Sequence, residues 1–162
     1  MLSKPNANAR TQIDLSSFAT MAGFNVRMLD VRMMRTVAEQ LARIGLSPAS
    51  ATVLQVLESN PDLSLGRLAD ALLVQRPNMT KLVNRLVAKK LVRRDAALGD
   101  KRQVALGLTE AGRKLAIKAR GVLRDHDEAS LGMLKPAERR QFLHLVARML
   151  AGLESKYKPA AV

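Results

Sequence analysis

Apolar residues recur at helical spacing through most of this chain, and one break in that spacing is the most informative. From Asp14 onward, Leu15, Phe18, Ala22, Val26, Leu29, Met33, Val37, Leu41 and Ile44 follow a period near 3.6. They predict one helix of about 29 residues that stops near Gly45, over ~40 Å long at ~1.5 Å per residue. Such a helix outreaches a small domain, and a second subunit is the economical cover for its stripe. Ser47-Pro48 supplies an N-cap and a proline at N1 for a short helix to about Glu58. Asn60-Pro61-Asp62 reads as a turn, Leu63-Ser64-Leu65 as a short strand and Gly66 to Leu73 as a short helix. A basic amphipathic helix then runs from Arg76 to Lys90. Met79, Leu82, Val83 and Leu86 form its apolar face, and Asn78, Lys81, Asn84 and Arg85 its polar one.

The helical period breaks at Leu91. Leu91 to Asp95 and Gln103 to Leu108 read as two strands joined by Ala-Ala-Leu-Gly-Asp-Lys-Arg, a basic hairpin. Thr109 then caps a long helix, with Glu110 in its first turn where the helix dipole favours a carboxylate, and the pattern runs to about Leu131. Pro136 opens a last helix, with Phe142, Leu143, Val146, Met149, Leu150 and Leu153 expected as a buried stripe. Residues 1–13 are polar and irregular and read as a mobile arm. There is no internal repeat and no low-complexity segment.

Composition narrows the function classes. With 162 residues and 48% hydrophobic content the chain suits one domain or two closely packed lobes, and 2% aromatic content suits a helical core better than a β-sandwich. The absence of cysteine excludes disulfides, thiolate metal sites and thiol redox switching. Two histidines give no basis for a zinc site. The net charge is +13, and residues 76–102 hold nine basic groups against two acidic ones. That clustering suits a phosphate-binding footprint, although a generally basic solvated surface would share it. No apolar run approaches a membrane span and the N-terminus has no signal-like core, so the expectation is a cytoplasmic, nucleoid-associated protein without a membrane partner. No nucleophile–base pair, metal-ligand spacing or glycine-rich phosphate loop supports an enzyme, and no cofactor is expected.

The order of elements and several short motifs together resemble the multiple-antibiotic-resistance regulator (MarR) family of bacterial winged helix-turn-helix repressors. The motifs are Leu-Ala-Asp-Ala-Leu at 68–72, Thr-Lys-Leu-Val-Asn-Arg-Leu at 80–86, Leu-Val-Arg-Arg-Asp at 91–95, Asp100-Lys101-Arg102, and Leu-Thr-Glu-Ala-Gly at 108–112. The resemblance covers about residues 15–155, and the last two motifs, in this order and spacing, are its most specific part. It implies a mainly α fold with a small β-wing. Residues 47–108 would be a winged helix-turn-helix DNA-binding lobe, and 14–46 with 109–157 a helical dimerisation region. In a homodimer, each reading helix would enter a major groove of double-stranded DNA and each wing the neighbouring minor groove.

Carried over by position, Arg102 is the wing arginine of the minor groove and Asp100 the carboxylate that steadies it, with Arg94 and Lys101 beside phosphates. A narrow A·T-rich minor groove has enhanced negative potential, which suits an arginine. On the preceding helix, Arg76, Asn78, Thr80, Lys81, Asn84 and Arg85 are the DNA-binding candidates. Asparagine can pair with adenine and arginine with guanine. Two positions depart from the family pattern. Gln75-Arg76-Pro77-Asn78 shifts the first turn of the reading helix, and Lys90 stands where the family usually has glycine. Lys90 therefore either takes a left-handed turn under strain or marks a different turn.

The family commonly binds a small anionic or aromatic effector between the dimerisation helices and the DNA-binding lobe. Met28, Arg32 and Met33 on the first helix are the candidate pocket residues, and an aromatic acid or its coenzyme A thioester is the candidate class. Core methionines and solvated arginines are the plainer account of the same residues. His126 and His144 read as polar surface or interface groups. The expected function is a ligand-responsive, sequence-specific regulator, most simply a repressor, on a pseudo-palindromic operator. A nonspecific architectural DNA-binding protein and an activator on the same scaffold stay open as alternatives.

Overall fold

Hydroxyl side chains start three of the helices. Ser47 Oγ accepts from the backbone N–H of Ser50 (3.2 Å), Ser64 Oγ from Arg67 (3.3 Å) and Thr109 Oγ1 from Gly112 (3.0 Å), each satisfying a donor that the first helical turn leaves free. The computed structural model describes residues 14–97 and 100–156, apart from the side chains at 96–103 and 154–156. The arm expected at 1–13 lies outside the described residues. The elements are α1 (Ala22–Ala42), α2 (Pro48–Ser59), β1 (Leu63–Ser64), α3 (Leu65–Ala71), α4 (Arg76–Ala88), β2 (Val92–Ala97), β3 (Asp100–Leu108), α5 (Glu110–Leu131) and α6 (Pro136–Lys156).

The single helix expected from Asp14 is divided. A three-residue 3-10 turn, Ser16–Phe18, precedes α1, and Met21 between them is extended. Local hydrogen bonds compete with a continuous helix here. Asp14 Oδ1 accepts from Ser16 N (2.9 Å), which also holds the Asp14 carboxyl below its ordinary pKa. Asn25 Nδ2 donates to the carbonyls of Ala19 and Met21, both at 3.0 Å. Across the break Phe18 still stacks on Phe24, with ring centroids 4.7 Å apart. At 21 residues, α1 is about 30 Å long.

Helices α1, α3 and α4 end alike. In each, a residue one or two positions past the cap takes positive φ: Gly45 at 76°, Leu73 at 52° and Lys90 at 56°. The next amide then reaches back five residues, Leu46 to Leu41, Val74 to Ala69 and Leu91 to Leu86, at 2.9–3.1 Å. This is the Schellman pattern, which normally recruits glycine. Only the first of the three has it. The basic helix accordingly stops at Ala88 instead of Lys90.

The three strands form an antiparallel sheet in the order β1-β3-β2. Leu63 lies opposite Leu106, and Val92, Arg94 and Ala96 lie opposite Leu108, Leu106 and Val104. The hairpin strands are longer than the sequence pattern indicates. Pairing continues through a register shift after Ala96 to Ala97 and Asp100, because a hairpin backbone gains ladder hydrogen bonds whatever its side chains.

One core joins the lobe to the long helices. Val37 and Leu41 of α1, Val53, Leu54 and Leu57 of α2, Leu68 of α3, and Met79, Leu82, Val83 and Leu86 of α4 pack with Leu91, Val92, Leu106 and Leu108 of the sheet and Ala116 and Ala119 of α5. The apolar face predicted for α4 is fully buried. Two expectations about burial are corrected. The α6 stripe is not buried within the chain: Leu143, Val146, Met149, Leu150 and Leu153 are exposed, and Phe142 is half-buried. No residue of that core comes from α6, since none of the other described elements covers the stripe. His126, read as a polar surface or interface group, is not at the surface: it is 7% exposed, with Nε2 3.4 Å from Ser130 Oγ, because α5 turns this residue toward α1. Among the described residues, no helix is long and apolar enough to cross a membrane.

Candidate nucleic-acid interface

The buried face of α4 fixes what its other face presents. With Met79, Leu82, Val83 and Leu86 in the core, helical geometry puts Asn78, Lys81, Asn84 and Arg85 outside, and all four are exposed. Lys81, Arg85 and Asn78 have no side-chain partner among the described residues. Thr80 is half-buried and its hydroxyl donates to the Arg76 carbonyl at 2.8 Å, which ties it to its own helix. Arg76, at the first turn, leans back toward α3. Its Nη2 is 3.8 Å from Asp70 Oδ2, and its guanidinium lies over Gly66.

Strand β2 places successive arginines on opposite faces of the hairpin. Arg94 faces α4, and its Nη2 donates to Asn84 Oδ1 at 2.5 Å. Arg93 faces the other way. It pairs with Asp95, donates from Nε to the Leu108 carbonyl (3.4 Å) and lies across Gly107, where a Cβ would come within 3.1 Å of the guanidinium. Arg113 of α5 donates to the same carbonyl at 3.1 Å. Arg93 thus braces β2 against β3, Arg113 ties α5 to the same carbonyl, and Arg94 joins the hairpin to α4. The backbone of Asp100, Lys101 and Arg102 runs in β3, but the side chains proposed for the wing tip lie outside the described residues.

A second site lies away from this surface. Met33, Met34 and Val37 of α1 and Arg120, Leu123, Arg124, His126 and Asp127 of α5 line a groove of about 460 Å³. Of the three residues singled out for an effector, Met33 lines it. Met28, which is half-buried, and Arg32, which is exposed, do not. Arg120 also crosses to α2, with Nε donating to Gln55 Oε1 (3.1 Å) and Nη2 paired with Glu58, while Gln55 Nε2 donates to the Ala116 carbonyl (2.7 Å). Sequence reasoning missed this cluster. Its members are more than sixty positions apart, and no local pattern connects them.

A family model described as the MarR family matches residues 44–103, from the end of α1 through the hairpin. A candidate transcriptional regulatory protein for the hcr operon of Thauera aromatica is 29% identical over 147 residues, covering 90% of this chain and 89% of that protein. The solved structure of Bordetella bronchiseptica BpsR, whose DNA binding is regulated by 6-hydroxynicotinic acid, is 25% identical. It superposes with a TM-score of 0.75 over 82% of this chain and 94% of that one. The repressor CouR, solved on a 23-mer DNA duplex, shares the fold at 23% identity, with a TM-score of 0.76 over 87% and 99% of the two chains.

Proposed function

This chain belongs to the MarR family, and on that premise we propose that it is a sequence-specific DNA-binding transcriptional regulator that works as a homodimeric repressor on a pseudo-palindromic operator. The observation that carries the reading is the exposed face of α4 beside the β2–β3 hairpin, two basic elements adjacent in space as well as in sequence. A helix of this width fits the major groove and a two-stranded ribbon reaches the next minor groove. Residues 47–108 form the reading lobe, and 14–46 with 109–157 form the dimerisation region. Asn78, Lys81 and Arg85 face base edges or phosphates, Arg76 and Arg94 flank them, and Asp100, Lys101 and Arg102 serve at the wing. The exposed apolar stripe of α6 is the surface that a second copy covers.

The effector site belongs in the groove between α1 and α5. Its lining combines apolar Met33, Met34, Val37 and Leu123 with two arginines, Arg120 and Arg124, against one carboxylate, Asp127. An aromatic ring with a carboxylate satisfies both halves, so a small aromatic acid is the effector class. A ligand there sits against α5 and next to the Arg120–Glu58 contact to α2, where it can change the spacing of the two reading helices.

Footprinting and competition binding on the DNA flanking this protein's own gene test the reading. One protected pseudo-palindrome is expected, preferred over random duplex by roughly a thousandfold, with affinity falling more than about tenfold between 50 and 200 mM salt. Equal affinity for all duplexes would make the protein an architectural one instead.

A further inference from the structure

Two asparagines stand on the exposed face of α4, and their side chains are in different states. Asn78 has no side-chain partner among the described residues, so both its amide donor and its carbonyl acceptor are free. Asn84 is engaged through its oxygen by Arg94 at 2.5 Å. Arginine carries only donors, so the atom that meets it is necessarily the amide oxygen, and the NH2 group of Asn84 is left to face outward. An asparagine reads adenine by accepting from N6 and donating to N7 at once, which needs both atoms. At Asn84 a charged guanidinium already takes one of the two lone pairs of that oxygen and sets a positive charge beside it, which disfavours the approach of a second donor.

We propose that Asn84 and Arg94 form one composite, donor-rich reader that prefers a guanine edge, with its O6 and N7 acceptors, over adenine, whose N6 amine would have to share the Asn84 oxygen with a guanidinium. Arg94 is the positioning residue. It masks the acceptor of Asn84 and thereby changes the base preference of a residue on another element. The proposal rests on α4 being the DNA-reading helix. It adds a division of labour within that helix, with the free Asn78 available to adenine and the masked Asn84 turned to guanine.

The test uses the full-length protein and a series of operator duplexes in which every base pair of one half-site is replaced in turn by the other three. Binding is measured for the wild type and for Asn84→Ala, Arg94→Ala and Arg94→Lys. The wild type should show one position where G·C exceeds A·T by about tenfold, and Asn84→Ala should flatten that position alone. Arg94→Ala should move the preference at the same position toward A·T, because the amide oxygen is uncovered. Arg94→Lys, which keeps a donor on that oxygen, should keep the guanine preference. A purely structural role for Arg94 would not move a base preference. The proposal is overturned if Arg94→Ala weakens binding evenly across all sequences and lowers the salt slope by about one, the signature of a phosphate contact. If the wild type prefers no sequence over random duplex, the regulator reading fails first, and the proposal with it.

Discussion

Gly112 sits against the backbone of Leu91 so closely that a Cβ at position 112 would come to 2.0 Å from the Leu91 carbonyl oxygen. That carbonyl already accepts from the Thr109 amide at 3.1 Å, and the Thr109 hydroxyl donates to the Lys90 carbonyl at 2.7 Å. The first turn of α5 is therefore locked onto the junction between α4 and β2. The motif Leu-Thr-Glu-Ala-Gly at 108–112 combines a strand end, a cap and a close approach, and it joins α4 and the hairpin to the long helix behind them.

Gly112→Ala should consequently destabilise the protein by about 1–3 kcal/mol or more, since backbone and not a flexible side chain must give way. Urea denaturation measures it. A loss below ~0.5 kcal/mol would show that the junction yields easily.

Leu73 and Lys90 should respond in the opposite sense. Leu73 is 94% exposed at φ 52° and Lys90 is exposed at φ 56°, so glycine gives up no burial in the chain and relieves a left-handed cost of about 1–2 kcal/mol. The added freedom of the unfolded chain returns about 0.5–1 kcal/mol of that. Leu73→Gly and Lys90→Gly should each raise stability by up to ~1 kcal/mol. A lower urea midpoint in both would count against the strain argument.

Arg102→Ala tests the wing. Operator affinity should fall by at least about tenfold, with the oligomeric state and melting temperature unchanged, because the residue is assigned to the groove and not to the core. Affinity within about twofold of the wild type would remove Arg102 from the interface.

Leu150, 58% exposed on the α6 stripe, should be buried when two copies associate. Leu150→Glu would put an unpaired charge into that contact. Sedimentation should then report a shift from dimer to monomer at micromolar concentration, together with weaker operator binding, since a dimer engages two half-sites. A variant that stays dimeric would place the interface elsewhere.

The local elements were legible because their causes are local. The Ser47 and Thr109 caps, the α4 stripe of Met79, Leu82, Val83 and Leu86, and the Thr109 start of α5 follow from residues within one or two turns of each other. The first helix was misjudged because a period of apolar residues does not report the backbone bonds of Asp14 and Asn25, which interrupt it. Lys90 was flagged by its departure from glycine. Nothing in its neighbourhood said which of two turns it would take until Leu91 was anchored to Leu86.

By itself, the sequence determined which face of each helix is apolar, where α2, α4, α5 and α6 start, and that a basic hairpin follows a basic helix, since periodicity, capping and charge act over a few residues. The tertiary structure decided which polar groups are already engaged. Arg93 and Arg94 are neighbours in the chain, yet one is held within the hairpin by Asp95 and the Leu108 carbonyl and the other by Asn84 of α4. Arg120 reaches Glu58 across sixty-two positions, and His126 is buried on α5 and not at the surface. These outcomes depend on how whole elements pack, because a hydrogen bond or an ion pair forms only where two distant backbones bring its atoms within reach.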